Sequence, residues 1–300
     1  WFCNLIKAWI RLFLTSSATC AAMSAAGVPG LVLYTNVYAL SNLASTLTDV
    51  GRLEEAQRAY EEALAIHRRH PGGPHPDMHI ALNGLAVVAY RRGDLPSAIA
   101  AMREVAAAWK ASAGEDGPAY LTALNNLGVM LNDAGDYGEA ESLLRQAAAG
   151  RARVLGAEHV EAAHAKRNLA VLLHRTGRDA EAETLARAAL DVQARQLAAD
   201  HSRRLDASAT LGAILVARGR ALEAEPLLRA AAEGRHTRLG DDHPDTLEAQ
   251  GLVGACLLAR GHPEGGRQLA ASHAALAARP GQRARAAELA RYLPTGVPRR

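Results

Sequence analysis

The sequence predicts an all-α chain, an α-solenoid of helix pairs stacked side by side. Three observations predict it. Glycine falls at 51, 93, 135, 177, 219 and 261, always 42 residues after the last. The same apolar and small columns return in register around each of these glycines. Of the 300 residues 49% are apolar and only 4% aromatic, with Ala and Leu supplying the bulk, which favours helix over sheet. A period of this length marks units that cannot bury their own apolar faces, so neighbours must stack.

Residues 1–34 stand apart as an apolar leader. WFCNLIKAWIRLFL holds both phenylalanines and two of the three tryptophans. Its apolar run is too short and interrupted to span a bilayer. Asn4, Lys7 and Arg11 would share one polar face of a helix, so residues 1–14 are the only segment expected to touch a membrane, lying in its surface. A weak signal peptide ending in the small residues 18–26 is a second reading. The favoured one is a remnant of a longer sequence or a misplaced gene start, with Met23 the candidate genuine start. Cys3, Cys20 and Cys256 form no C-x-x-C pair or disulfide framework. That points to a reducing, cytoplasmic location, with Cys256 as a small core residue.

Residues 35–278 hold six units, at about 36–77, 78–119, 120–161, 162–203, 204–245 and 246–278. Unit three shows the plan. Leu121, Leu124, Leu127 and Leu131 recur at helical spacing and make one stripe. Gly135 ends that helix, because glycine takes the left-handed cap conformation without a Cβ penalty. Ala140, Leu143, Leu144, Ala147 and Ala148 make the inward face of a second helix. A small column, Ala44, Ala86, Gly128, Ala170, Gly212 and Gly254, lets two helix backbones approach closely, and a second begins at Ala56. In unit six Pro263, Gly265 and Gly266 fall in the second helix, which predicts looser packing there. Residues 279–300 are read as a capping helix near 283–292 and a basic tail.

The stretches NLASTLTDVGRLEEA, GLAVVAYRRGDLPSA, NLGVMLNDAGDYGEA, NLAVLLHRTGRDAEA, TLGAILVARGRALEA and LVGACLLARGHPEGG resemble the tetratricopeptide repeat. The 42-residue period and the linker LGDDHPDT resemble its kinesin-light-chain-like subclass. The resemblance covers residues 35–278. It implies a right-handed superhelix of helix-turn-helix units whose first helices line a concave groove. It departs where the column Leu40, Leu82, Leu124 turns polar as Lys166, Ser208 and Gln250.

No catalytic constellation is present: no G-x-x-x-x-G-K-[ST] loop, no H-E-x-x-H, no G-x-S-x-G and no kinase signatures. Glu55, Glu139, Glu181 and Glu223 recur with the period, as helix-surface or first-turn charges do. HRRHPGGPHPDMH brings His67, His70, His75 and His79 within one stretch, which raises a metal site. The ruler argues against it. His75 returns as His159, His201 and His243, so it belongs to the linker, where the following Asp or Thr is expected to cap a helix. His67 and His70 align with Arg, Gln, Val, Ser and Trp and would face a helix C-terminal dipole. His79 aligns with an apolar column. No metal, no cofactor and no enzymatic activity are expected.

The resemblance places a partner on the first helices. The exposed positions it implies are Tyr38, Asn42, Asn83, Tyr90, Arg91, Asn125, Asn126, Asn132, His164, Arg167, Asn168 and Arg175. Side-chain amides both donate and accept, so they can hold a peptide backbone whatever its sequence. Asn42, Asn126 and Asn168 share one column and would form a ladder. Arg91, Arg167 and Arg175 would pair with acidic groups. These residues do not reproduce the Lys/Asn/Arg set of chaperone-tail-binding relatives. With a net charge of +3 and only Tyr38 and Tyr90 as aromatics on this face, a nucleic-acid partner is not expected. The function read from the sequence is a non-catalytic scaffold that binds a peptide or helical segment of a protein. The alternative is the regulatory or sensory arm of a larger signalling protein, a kinase or NTPase.

Overall fold

The computed structural model describes residues 29–69 and 76–294. Among them are thirteen helices and no strand. They pair as α1 (Pro29–Asp49) with α2 (Leu53–Arg69), α3 (Pro76–Arg91) with α4 (Leu95–Ala113), α5 (Pro118–Ala134) with α6 (Tyr137–Leu155), α7 (Val160–Arg175) with α8 (Asp179–Gln196), α9 (Ser202–Ala217) with α10 (Ala221–Leu239) and α11 (Pro244–Ala259) with α12 (Pro263–Ala277). A short α13 (Arg283–Ala290) follows. The first helix of each pair is called A and the second B. The array is therefore an all-α repeat. The leader up to residue 28, with its membrane and start-site readings, lies outside the described residues, as do His70 and His75. Helix α1 begins at Pro29, seven residues ahead of the first unit's expected edge.

The chain divides into two compact units between Ala108 and Trp109. In the first, Val37, Leu40, Ala44 and Leu47 of α1 close on Ala56, Tyr60, Ala63 and Leu64 of α2 and on Ala81 and Val88 of α3. In the second, the Leu121, Leu124, Leu127 and Leu131 stripe is buried, and so are Ala140, Ala182 and Ala224 of the small column. Each buried leucine contributes roughly 1.5–3 kcal/mol relative to exposure. Cys256 is buried, with its thiol donating to the Ala221 carbonyl at 3.2 Å.

The periodic glycine ends the A helices as expected: Gly135 has φ +89° and its N–H returns to Asn132 O and Leu131 O. The small column has a measurable reason. A Cβ on Gly128 would lie 2.7 Å from Leu144 Cγ, and one on Gly212 2.6 Å from Leu228. Unit six corrects the sequence reading. Pro263 sits in the first turn of α12, where its missing N–H costs nothing. Gly254 and Gly265 allow backbone-to-backbone approach, since a Cβ on Gly254 would come 2.6 Å from Leu269 N. The glycines tighten this pair rather than loosen it.

The linker histidines also differ from expectation. His159, His201 and His243 are themselves the N-caps of α7, α9 and α11. Each Nδ1 accepts from the backbone N–H two residues on, at 3.1–3.2 Å. Asp245, read as the cap, lies inside the first turn. An imidazole reaches the same orphan N–H that a short carboxylate would, and leaves the acid free for other partners. His67 lies in the last turn of α2, as expected, and is buried there; burial first and then His67 lower the His79 imidazole below its usual range.

Candidate partner-binding face

Successive A helices are tied together by side chains that reach about one repeat along the chain. In the second compact unit Asn168 Nδ2 donates to Asn125 Oδ1 at 3.0 Å. Arg167 donates through Nη1 to Asn168 Oδ1 at 2.9 Å and through Nε to Thr210 Oγ1 at 3.0 Å. Asn125 also approaches Asn126 at 3.5 Å. One polar chain thus crosses α5, α7 and α9. It corrects the sequence reading of these asparagines as exposed: Asn125 is 2% and Asn168 5% exposed, and Asn132 is buried as well. The A helices stand close enough for the Asn125 and Asn168 amides to bridge them, so their burial costs little, whereas the Asn132 Oδ1 is buried without a hydrogen-bond partner among the described residues. Asn126 and Arg167, at the edges of that chain, are half-buried.

His164 lies beside it, 3.4 Å from Asn168 Nδ2. Burial first, then the Arg167, Arg203 and Arg151 guanidiniums, lower its pKa to about 4. It is neutral at physiological pH and acts as a packed polar group.

In the first compact unit the expected residues are more open. Tyr38 is 58% exposed and Asn42 is exposed, while Asn83 and Tyr90 are half-buried. Arg91 donates to Thr48 O at 3.0 Å and lies 3.7 Å from Asp49. The same construction recurs in the second compact unit. Arg175 donates to Asn132 O at 3.3 Å and pairs with Asp133.

The second copy carries an addition that the sequence did not announce. Glu288 of α13 lies 3.3 Å from Arg175 Nε and 3.5 Å from His174 Nε2. The Tyr292 hydroxyl, just beyond α13, is 3.1 Å from His174 Nε2 and 3.3 Å from the Ala213 carbonyl. Arg291 donates to the His174 carbonyl. His174 Nδ1 stands 2.6 Å from Asp179 Oδ1. The ionised carboxylate can only accept, so Nδ1 carries a proton. Burial, then the Glu288 charge, pushes the Tyr292 phenol above its usual range. The sequence pointed to a capping helix near 283–292 but not to these polar partners; its Ala286 and Leu289, three apart, are buried.

Models of the tetratricopeptide repeat match residues 36–111, 77–151 and 119–195, and a second such model matches 204–245. The chain belongs to the tetratricopeptide repeat family. No curated protein matches it significantly. Among solved structures it is similar to a Podosopora anserina putative kinesin light chain with nearly identical TPR-like repeats, at 25% identity and TM-score 0.54, covering 68% of this chain and 97% of that one. BtubC (BKLC) from P. vanneervenii matches at 20% identity and TM-score 0.60, covering 77% and 92%. The Rap conjugation gene regulator of plasmid pLS20, in complex with the Phr* peptide, matches at 15% and 0.64, covering 83% and 65%. The last two likenesses concern the fold alone.

As a tetratricopeptide repeat protein, the chain shows which features are periodic and which are its own. The arginine–aspartate pair at the end of an A helix appears in units two and four. At Arg91 the side chain is 41% exposed; at Arg175, under Glu288, it is 14%. No helix among the described residues is long and apolar enough to cross a membrane.

Proposed function

We propose that this chain is a non-catalytic interaction module that holds a peptide or helical segment of a protein partner on its A-helix face. One observation carries the reading. The polar side chains of that face are fixed by bonds from one A helix to the next, Asn168 to Asn125 and Arg167 to Thr210. Groups already held in place lose little freedom when a ligand arrives. Asn126 and Arg167 then offer amide and guanidinium contacts to a backbone or an acidic side chain. The peptide-bound Rap regulator is a fold neighbour consistent with this use.

The test is photo-cross-linking in the full chain. Peptides selected on it from a random phage-displayed library are expected to cross-link from p-benzoylphenylalanine placed at Asn126 or Val171. Placement at Arg145 or Arg229, on B helices, should give at most background. Equal yields from both pairs of sites would overturn the assignment.

A further inference from the structure

We propose that the Arg175 end of the A-helix face is a recognition slot for a helix bearing a glutamate and, four residues later, a tyrosine, and that α13 is its resident occupant, which a partner helix of this kind displaces. The inference rests on the interaction reading above and names the chemistry of what is bound.

The slot is built from three A helices. Arg175 and His174 end α7, Asn132 and Asp133 end α5, and the Ala213 carbonyl belongs to α9. Glu288 lies in the last turn of α13 and Tyr292 in the turn that continues it, where the Tyr292 N–H returns to the Leu289 carbonyl, so the two groups reach the same side; a helix one turn longer would present them likewise. The glutamate meets a guanidinium held by Asp133 and the Asn132 carbonyl, and the hydroxyl meets an imidazole held by Asp179. Both receptor groups are therefore oriented by partners other than the occupant. That is the arrangement of a binding site, and it persists when the occupant leaves.

The resident is a short helix held mainly by side chains, among them Arg285, which pairs with Asp245 of α11. Helix α13 has eight residues, too few to be stable alone in water, and its buried apolar side chains are Ala286 and Leu289. Leu289 packs against Gly251 of α11, where a Cβ would come 2.4 Å from its Cδ1. The helix also fails to fill the slot. A cavity of about 230 Å³ remains beside it, bordered by Asn132, Asp133, Tyr137, Arg175, Glu288 and Arg291. A longer or bulkier helix with the same two polar groups gains contacts there that α13 does not make. The Arg91–Asp49 pair shows the same receptor geometry without an occupant over it among the described residues, its arginine side chain 41% exposed.

A fluorescein-labelled peptide of residues 281–294, GQRARAAELARYLP, tests this on the full chain by fluorescence anisotropy. Glu288→Ala with Tyr292→Phe in the chain should release the resident and tighten peptide binding at least tenfold over the wild type. Adding Arg175→Ala should abolish the gain, whereas Arg91→Ala should not. Because Arg175 also bonds α5, the decisive control changes only the probe: Glu288→Gln and Tyr292→Phe in the peptide should weaken its binding to the released chain at least tenfold. Equal affinity for wild-type and released chains, or a doubly changed peptide that binds as well as the native one, overturns the slot. If that happens while library peptides still cross-link from Asn126, the slot falls and the broader interaction reading stands. Loss of the Asn126 cross-link would remove the broader reading instead.

Discussion

Helices α6 and α10 carry Arg151 and Arg235 where α8 carries Gln193, and the arginines share one role in the frame that the glutamine does not. Arg151 donates to the Glu161 carbonyl at 3.2 Å and to Thr122 Oγ1 at 3.0 Å. Arg235 donates to the Asp245 carbonyl at 2.9 Å and to Asp206 Oδ1 at 2.6 Å. Each buried arginine thus pins its own A helix and the next one, at identical sequence offsets. In unit four the places of Thr122 and Asp206 go to His164, and that of the arginine to Gln193. Gln193 is 0% exposed, and its amide has no protein partner among the described residues. The period conserves where backbones approach and leaves the polar chemistry of each seam free to differ. Polar groups can therefore vary from unit to unit while the helices stay in register.

The comparison breaks most sharply at Arg235. Its removal leaves Asp206 without the charge that, together with Arg167, overcomes the effect of burial and holds that carboxyl below its usual range. Arg235→Ala should therefore cost about 3–5 kcal/mol in chemical denaturation. Arg151→Ala should cost less, roughly 2 kcal/mol, because its hydroxyl partner is neutral and Glu161 keeps Arg203. Equal costs would show that the arginines act by packing alone.

Unit four should reveal itself through pH. A histidine held neutral binds fewer protons folded than unfolded, so its contribution is present above the unfolded value of 6.5. That contribution is lost as pH falls toward its folded value of about 4. Between about pH 7 and pH 5 the wild type should lose about 2 kcal/mol that His164→Thr, which installs unit three's residue, does not lose. Parallel pH profiles for the two proteins would place the cationic field elsewhere.

These seams mark the boundary of what was legible in the sequence. The glycine period, the leucine stripe and the small columns are short-range or strictly periodic signals, and they located the helices and the close approaches. The caps were misassigned because Asp is the commoner cap, and nothing in HPD says that the imidazole turns back on the backbone. Unit six was misread because glycine in a helix looks like weakness until its neighbour is seen. The columns placed these residues on the A helices, where they lie, but Asn125, Asn132 and Asn168 were taken as exposed. Whether an amide faces solvent or a neighbouring helix depends on interhelical distance, which a single sequence does not carry. The docking of Glu288 and Tyr292 joins residues more than a hundred positions apart, outside the period altogether.

The smallest expected effect lies at Gln193 and has the opposite sign. A buried amide without a protein partner forfeits hydrogen bonds it makes to water in the unfolded chain, at a cost of about 1–3 kcal/mol. Methionine matches glutamine in length and flexibility and brings no donor or acceptor. Ala189 and Val192, its neighbours along α8, already form an apolar cluster with Ala163 of α7. Gln193→Met should therefore raise stability, by about 1 kcal/mol after allowing for imperfect packing, with the denaturant m-value unchanged. Gln193→Arg, which copies units three and five, should instead destabilise. It would bring a cation beside Arg203 and the depressed His164, with no Asp206 equivalent to receive it. If methionine destabilises and arginine does not, the seam of unit four is built for a polar group after all. Its difference from its neighbours would then be one of chemistry rather than tolerance.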